Sequence, residues 1–286
     1  MSQLRQLTEI NIDDLITAFG LQQVTVGRRF IRALGRWPAG DFARFMLQAD
    51  RVVGEAGLAA GAGLILQRFT GGVTATGVEH IPAAGPLVIL ANHPGLADTV
   101  ALFASIPRRD LLTIGLRRPF LEALPEMKRY VIFINEDRRD HYRALHQIVS
   151  HLKQGGAILT FPAGKIEPDP AVRPGAVESL ATWAGTVAMF ARLSVQPVLL
   201  PALVSGVLSP RAQRHPLTRL RRRPADREWL GATLQLLWPP YRRGRALVQF
   251  GSALPAELLR RQGDDRRLFE LFRAHMLPLI EQASRL

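Results

Sequence analysis

From Val73 onward, short apolar runs recur along the chain, and most of them do not alternate with polar positions. Leu87 to Ala91 holds five apolar residues in a row. A strand with one wet face would alternate, so this run predicts a strand buried on both faces. Leu111 to Leu116, Tyr130 to Ile134, Ala157 to Phe161 and Pro197 to Val204 read in the same way, as buried strands. Val73 to Val78 and Ala246 to Phe250 add a first and a last strand. Helical patterns lie between these runs: Leu96 to Phe103, a short helix or lid over Pro119 to Met127, and Asp140 to Lys153 closed by Gly155-Gly156. Val177 to Leu193 reads as one long apolar helix, followed by Glu228 to Trp238 and a closing amphipathic helix over Leu268 to Ala283. Strand and helix in alternation predict an α/β fold: a mainly parallel sheet flanked by helices, with an N-terminal helical extension.

That extension spans residues 1–72. Ile10 to Phe19 is a short amphipathic segment with Asn11 or Asp13 as its cap. Arg28 to Trp37 mixes Arg28, Arg29, Arg32 and Arg36 with Phe30, Ile31, Leu34 and Trp37, the pattern of a basic helix at a membrane interface. Asp41 to Phe69 follows with apolar residues at helical spacing. These helices either pack on the core or meet a lipid surface. Residues 73–286 form the α/β domain, with a motif-bearing core over 73–209 and a basic C-terminal part over 210–286.

The central run ends in Asn92-His93-Pro94-Gly95, which is turn chemistry. A histidine thus sits at the end of a buried strand, and Asp98 falls in the first turn of the helix that follows. Ligand sites in open α/β sheets form at the carboxyl ends of strands. A turn there lets Asp98 accept a hydrogen bond from one ring nitrogen of His93 and leaves the other free as a base near neutral pH. The pair has a base and an orienting carboxylate but no adjacent nucleophile. It suits activation of an incoming hydroxyl or amine.

Asn92-His93-x4-Asp98 resembles the first motif of the glycerophospholipid acyltransferase superfamily, the 1-acylglycerol-3-phosphate acyltransferase-like group. The resemblance implies that His93 is the general base, that Asp98 orients it, and that the acceptor hydroxyl attacks an acyl thioester. It covers about Val73 to Ser209. The second block matches at Val131 to Asp140, where Arg138, or Arg139 as the alternative, would contact an acceptor phosphate bidentately. Phe161-Pro162-Ala163-Gly164-Lys165 resembles the third block, usually Phe-Pro-Glu-Gly followed by Arg. Phe161, Pro162 and Gly164 match, and Lys165 supplies a positive charge. Ala163 stands where the family has glutamate, and Glu167 in the next turn is the nearest replacement. Gln196 to Ala202 is similar to the fourth block.

Composition changes this picture in three ways. Zero cysteines exclude disulfides, thiolate metal sites and a cysteine nucleophile, and agree with a reducing compartment. The formal charge of +13 includes ten arginines between Arg211 and Arg245 against Asp226 and Glu228 alone. That excess favours an anionic partner, phospholipid or nucleic acid. The start of the chain lacks an apolar core for a signal peptide, and no apolar span reaches 18 residues. There is no Gly-x-Ser-x-Gly elbow, no His-Glu-x-x-His and no phosphate loop, since Leu159 holds the position of its first glycine. His141, His146 and His151 fall five apart, which scatters them around a helix instead of gathering them on a metal.

These readings converge on a peripheral enzyme at the cytoplasmic side of the cell membrane, without a transmembrane helix. It is expected to move a fatty acyl group from acyl-CoA or acyl carrier protein to a hydroxyl of a lysophospholipid or glycerolipid. His93 and Asp98 are the expected catalytic pair; Asn92, Arg138, Arg139, Phe161, Pro162, Gly164, Lys165 and Glu167 are the expected substrate contacts. No metal and no cofactor beyond the acyl donor are expected. Because of Ala163, transfer to a non-phosphate acceptor such as an amino-acid lyso-lipid is the alternative. A basic nucleic-acid-binding protein is the distant one, and it lacks a recognisable nucleic-acid module.

Overall fold

The computed structural model describes residues 2–135 and 137–285, with the side chains of Arg138 and Arg139 outside the description. Every residue of β2 (Leu87–Ala91) is buried. It pairs in parallel with β5 (Ala157–Thr160) on one side and with β6 (Val198–Ser205) on the other. β3 (Leu111–Leu116) extends the sheet beyond β5, and β4 (Val131–Ile134) ends it. On the far side β7 (Ala246–Phe250) runs antiparallel to β6 and parallel to β1 (Val73–Thr76). The order is β1-β7-β6-β2-β5-β3-β4, with the two-residue β8 (Leu254–Pro255) beside β6.

The unbroken apolar runs follow from layers on both faces. Val88 and Leu90 of β2 enter a core with Ile148, Leu152, Trp183, Phe190 and Phe272, carried by helices Arg138–Lys153, Ala184–Ala191 and Asp265–Ser284 and by the turn before the second of these. Leu87, Ile89 and Ala91 enter a second core with Leu66, Ala101 and Leu102. Those come from α3 (Leu58–Phe69) and α4 (Asp98–Ser105).

The N-terminal helices are α1 (Gln3–Ala18), α2 (Arg28–Ala56) and α3. They bury their own core of Leu7, Phe45, Met46, Ile65 and Phe69 against Ala123 and Leu124. Buried Asp50 of α2 fastens this packing, accepting from the N–H groups of Glu126 and Met127 at 3.1 and 2.8 Å.

Several boundaries differ from the sequence expectation, each for a local reason. α1 begins seven residues before Ile10, and Ser2 caps it by accepting from Arg5 N–H. Asn11 is instead buried in mid-helix, donating to Ala39 O. α2 runs through Pro38, whose missing N–H strips a bond from the carbonyl of Leu34, and Leu34 is exposed to water that can replace it. β4 lies at the sheet edge and is half-buried, because strand order is set by pairing that run length does not encode. The expected helix over Val177 to Leu193 is split by a tight turn at Leu180–Trp183.

Arg108 sets where β2 starts. Its buried guanidinium donates to the carbonyls of Pro82, Gly85 and Gly155 and to the Asp110 carboxylate, at 2.7 to 3.1 Å. Arg108→Met leaves three carbonyls short of a donor. It is expected to lower stability by about 3 kcal/mol, read as a lower urea midpoint at unchanged slope.

Candidate active site

β2 ends beneath a tightly bonded turn. Asn92 is buried, and its side-chain amide donates to Val204 O at 2.9 Å and accepts from Val204 N–H at 2.7 Å. It therefore works as a rivet between the ends of β2 and β6. His93 follows, and the chain reverses through Gly95 (φ 88°) and Leu96 (φ 57°). Left-handed backbone suits glycine and strains leucine, so the turn must be held in place by its bonds. Asp98 holds it: its carboxylate accepts from Gly95 N–H at 2.6 Å and from the backbone and hydroxyl of Thr99. The same carboxylate accepts from His93 Nδ1 at 2.7 Å. Asp98 is 2% exposed, whereas the His93 side chain is 30% exposed. With Nδ1–H committed to Asp98, the lone pair lies on Nε2, which bonds no described residue.

The loop after β5 forms the other wall. The Phe161 ring stacks on His93 at 4.5 Å between centroids. A turn closed by Gly164 N–H donating to Phe161 O puts Gly164, Lys165 and Ile166 on the exposed rim. The chain then dives, and Glu167 is 1% exposed. Its backbone N–H donates to His93 O at 2.8 Å, while its Oε2 accepts from His93 N–H at 3.0 Å. Its Oε1 accepts from Trp183 Nε1–H at 2.9 Å. Two residues on, buried Asp169 accepts from the N–H groups of Gly206, Val207 and Leu208, which fastens this loop to the end of β6.

Two opposing influences set the basicity of His93. Burial disfavours its charged form, but the bond to Asp98 and the negative charges of Asp98 and Glu167 outweigh that, so its pKa lies above the ordinary 6.5. Burial raises the Glu167 carboxyl above its usual range despite donors from Trp183, Ser179 and His93. Asp169 is raised by burial as well.

The fold thus brings His93, Asp98, Phe161 and Glu167 into direct contact, with Lys165 on the rim beside them. Asn92 and Pro162 are buried. Ala163, at the departed glutamate position, packs half-buried against the core. The side chains of Arg138 and Arg139 lie outside the described residues. Trp183 and Asp169 went unnoticed in the sequence. A tryptophan sixteen residues from its carboxylate partner has no periodic signature, but Glu167-Pro168-Asp169-Pro170 marks two acids in a stiff segment. Among the described residues no group of three or more His, Asp or Glu side chains is placed to hold a metal ion.

Residues 72–204 match the model of the acyltransferase family. No curated protein matches the chain. Among solved structures, the chain is similar to the 1-acyl-sn-glycerophosphate (LPA) acyltransferase PlsC from Thermotoga maritima. The identity is 14% and the TM-score 0.48, over 98% of this chain and 92% of that one.

In the role that the resemblance implies for His93, a base must be neutral to accept a proton, and the surroundings of His93 hold its proton to higher pH than usual. Turnover is therefore expected to fall as pH drops, with the acid limb of kcat/KM centred above 6.5. Asp98→Asn removes the strongest influence favouring the charged form, so the limb should move to lower pH while the rate plateau falls by about 100-fold or more.

Proposed function

We propose that the protein transfers a fatty acyl group from a thioester, acyl-CoA or acyl carrier protein, to the hydroxyl of a lysophospholipid-type glycerolipid. One observation carries this reading: the 2.7 Å Asp98–His93 bond at the end of a buried strand, with Nε2 free and facing no protein partner among the described residues. In the proposed reaction the acceptor hydroxyl gives its proton to His93 Nε2 as its oxygen attacks the thioester carbonyl. The tetrahedral intermediate collapses, the carbon–sulfur bond breaks, and the departing thiolate recovers the proton from His93. Asp98 keeps the imidazole in one tautomer throughout and stabilises its charged form. Donors on the Gly164–Lys165 rim are assigned to the oxyanion or to an acceptor phosphate.

An anionic acceptor is favoured over an amine-bearing one. Lys165 is exposed on the rim, and both oxygens of Glu167 are turned inward, so this loop offers a cation and no carboxylate to the acceptor. Arg138, with Arg139 as its alternative, is kept in the proposal as the phosphate contact of the second block.

The membrane is proposed as the place of reaction. No described helix is long and apolar enough to cross a bilayer. Yet Val26, just ahead of α2, and Phe30, Leu34 and Trp37 on it recur at helical spacing, and all are exposed, Phe30 by 68% and Trp37 by 76%. Arg28, Arg29 and Arg36 are exposed around them. An apolar stripe flanked by arginines suits a headgroup boundary with anionic lipid.

Release of free thiol from palmitoyl-CoA with lysophosphatidic acid tests the reaction, and a chain without cysteine adds no thiol background. Acceptor-dependent release is expected, falling by about 1,000-fold or more in His93→Ala. Full activity in that variant would overturn the assignment. Vesicle sedimentation tests the surface. Phe30→Glu with Trp37→Glu should weaken partition onto phosphatidylglycerol-containing vesicles by more than about 100-fold, since each side chain loses about 1.5–3 kcal/mol of burial. Unchanged partition would assign the docking face elsewhere.

A further inference from the structure

Glu167 is a carboxylate that the proposed reaction does not use, and it is the most enclosed acid bordering His93. Both of its carboxylate oxygens are taken by protein donors. Glu167 and His93 exchange two hydrogen bonds, backbone N–H to carbonyl in one direction and backbone N–H to carboxylate in the other. These two bonds clip the loop after β5 onto the turn after β2. The remaining oxygen is taken by the indole of Trp183, which is fully buried and lies against Phe272 of the C-terminal helix at 6.4 Å between centroids. A buried carboxylate is costly unless its lone pairs are met, and here donors from two different elements meet them.

We propose that Glu167, held by Trp183, is a positioning residue for His93: it fixes the backbone of the base and adds a second negative charge to the one supplied by Asp98. This rests on the reading of His93 as the base. It also assigns a consequence to Ala163. The carboxylate absent from the third block is supplied four residues later, and it faces the histidine's backbone instead of the acceptor. The charged groups bearing on His93 are Asp98 from α4 and Glu167 from the loop after β5. Glu167 is in turn faced by His93, Ser179 and Trp183. Removal of the Glu167 charge therefore lowers the pH at which His93 releases its proton. Removal of the Trp183 donor makes Glu167 take up a proton more readily and moves His93 in the same direction.

The test reads His93 directly, by following the ring carbon–proton signals of the seven histidines in NMR against pH, with His93 assigned from the signal lost in His93→Gln. Glu167→Gln keeps the shape and one acceptor for the two donors, and is the variant expected to stay folded. Its His93 midpoint should lie below that of the wild type, and Trp183→Phe should shift it the same way. In turnover, kcat should fall by about 10-fold in Glu167→Gln and about 100-fold in Glu167→Ala, with KM for the acyl donor within about threefold of wild type. Thermal melting separates loss of fold from loss of positioning. A Glu167→Gln protein that melts normally and keeps both the wild-type His93 midpoint and the wild-type kcat overturns the proposal. A shifted midpoint in a protein that acylates no lysolipid supports the positioning while setting aside the proposed reaction.

Discussion

Complete burial of β2 is the constraint on which the rest depends. Five residues with no wet face require a strand on each side and a helical layer above and below. A strand so enclosed must emerge somewhere, and its backbone groups must find partners at the point of exit. Asn92, His93 and Asp98 occupy that exit, and each is bonded to the backbone or to a neighbour. The turn after β2 is thus built from the same bonds that terminate the sheet, and Leu96 keeps its left-handed backbone because those bonds leave it little choice.

The electrostatics of the turn follow from the same burial. One imidazole stands between two carboxylates that are both nearly closed off from water. In such surroundings charge interactions are less screened than at the surface, so placement matters more than number. Asp98 acts on the ring and Glu167 on the main chain. The other ring nitrogen bonds no described residue.

Much of this was legible in the sequence, for reasons that also explain what was not. Unbroken apolar runs reported two-sided burial, and β3 and β7 fall on the residues expected for them. The His93–Asp98 pairing could be anticipated because both ends lie within one turn. Strand order was hidden, since β4 at the edge reads no differently from β2 at the centre. The bonding partners of Glu167 were hidden too. Its partners His93 and Trp183 reach it through folding, and a tight turn at Leu180–Trp183 interrupts what the apolar pattern presents as one continuous helix.

The placement of β7 bears on how the chain is assembled during synthesis. β1 pairs with β7 alone, Val73 facing Ala246, and β7 in turn lies between β1 and β6. Strands β2 to β6 can join one another as they leave the ribosome, but β1 has no neighbour until residues 246–250 are made. The early strand must therefore wait, unpaired, through most of translation, and a ribosome stalled before β7 would hold a nascent chain with an open edge at β6.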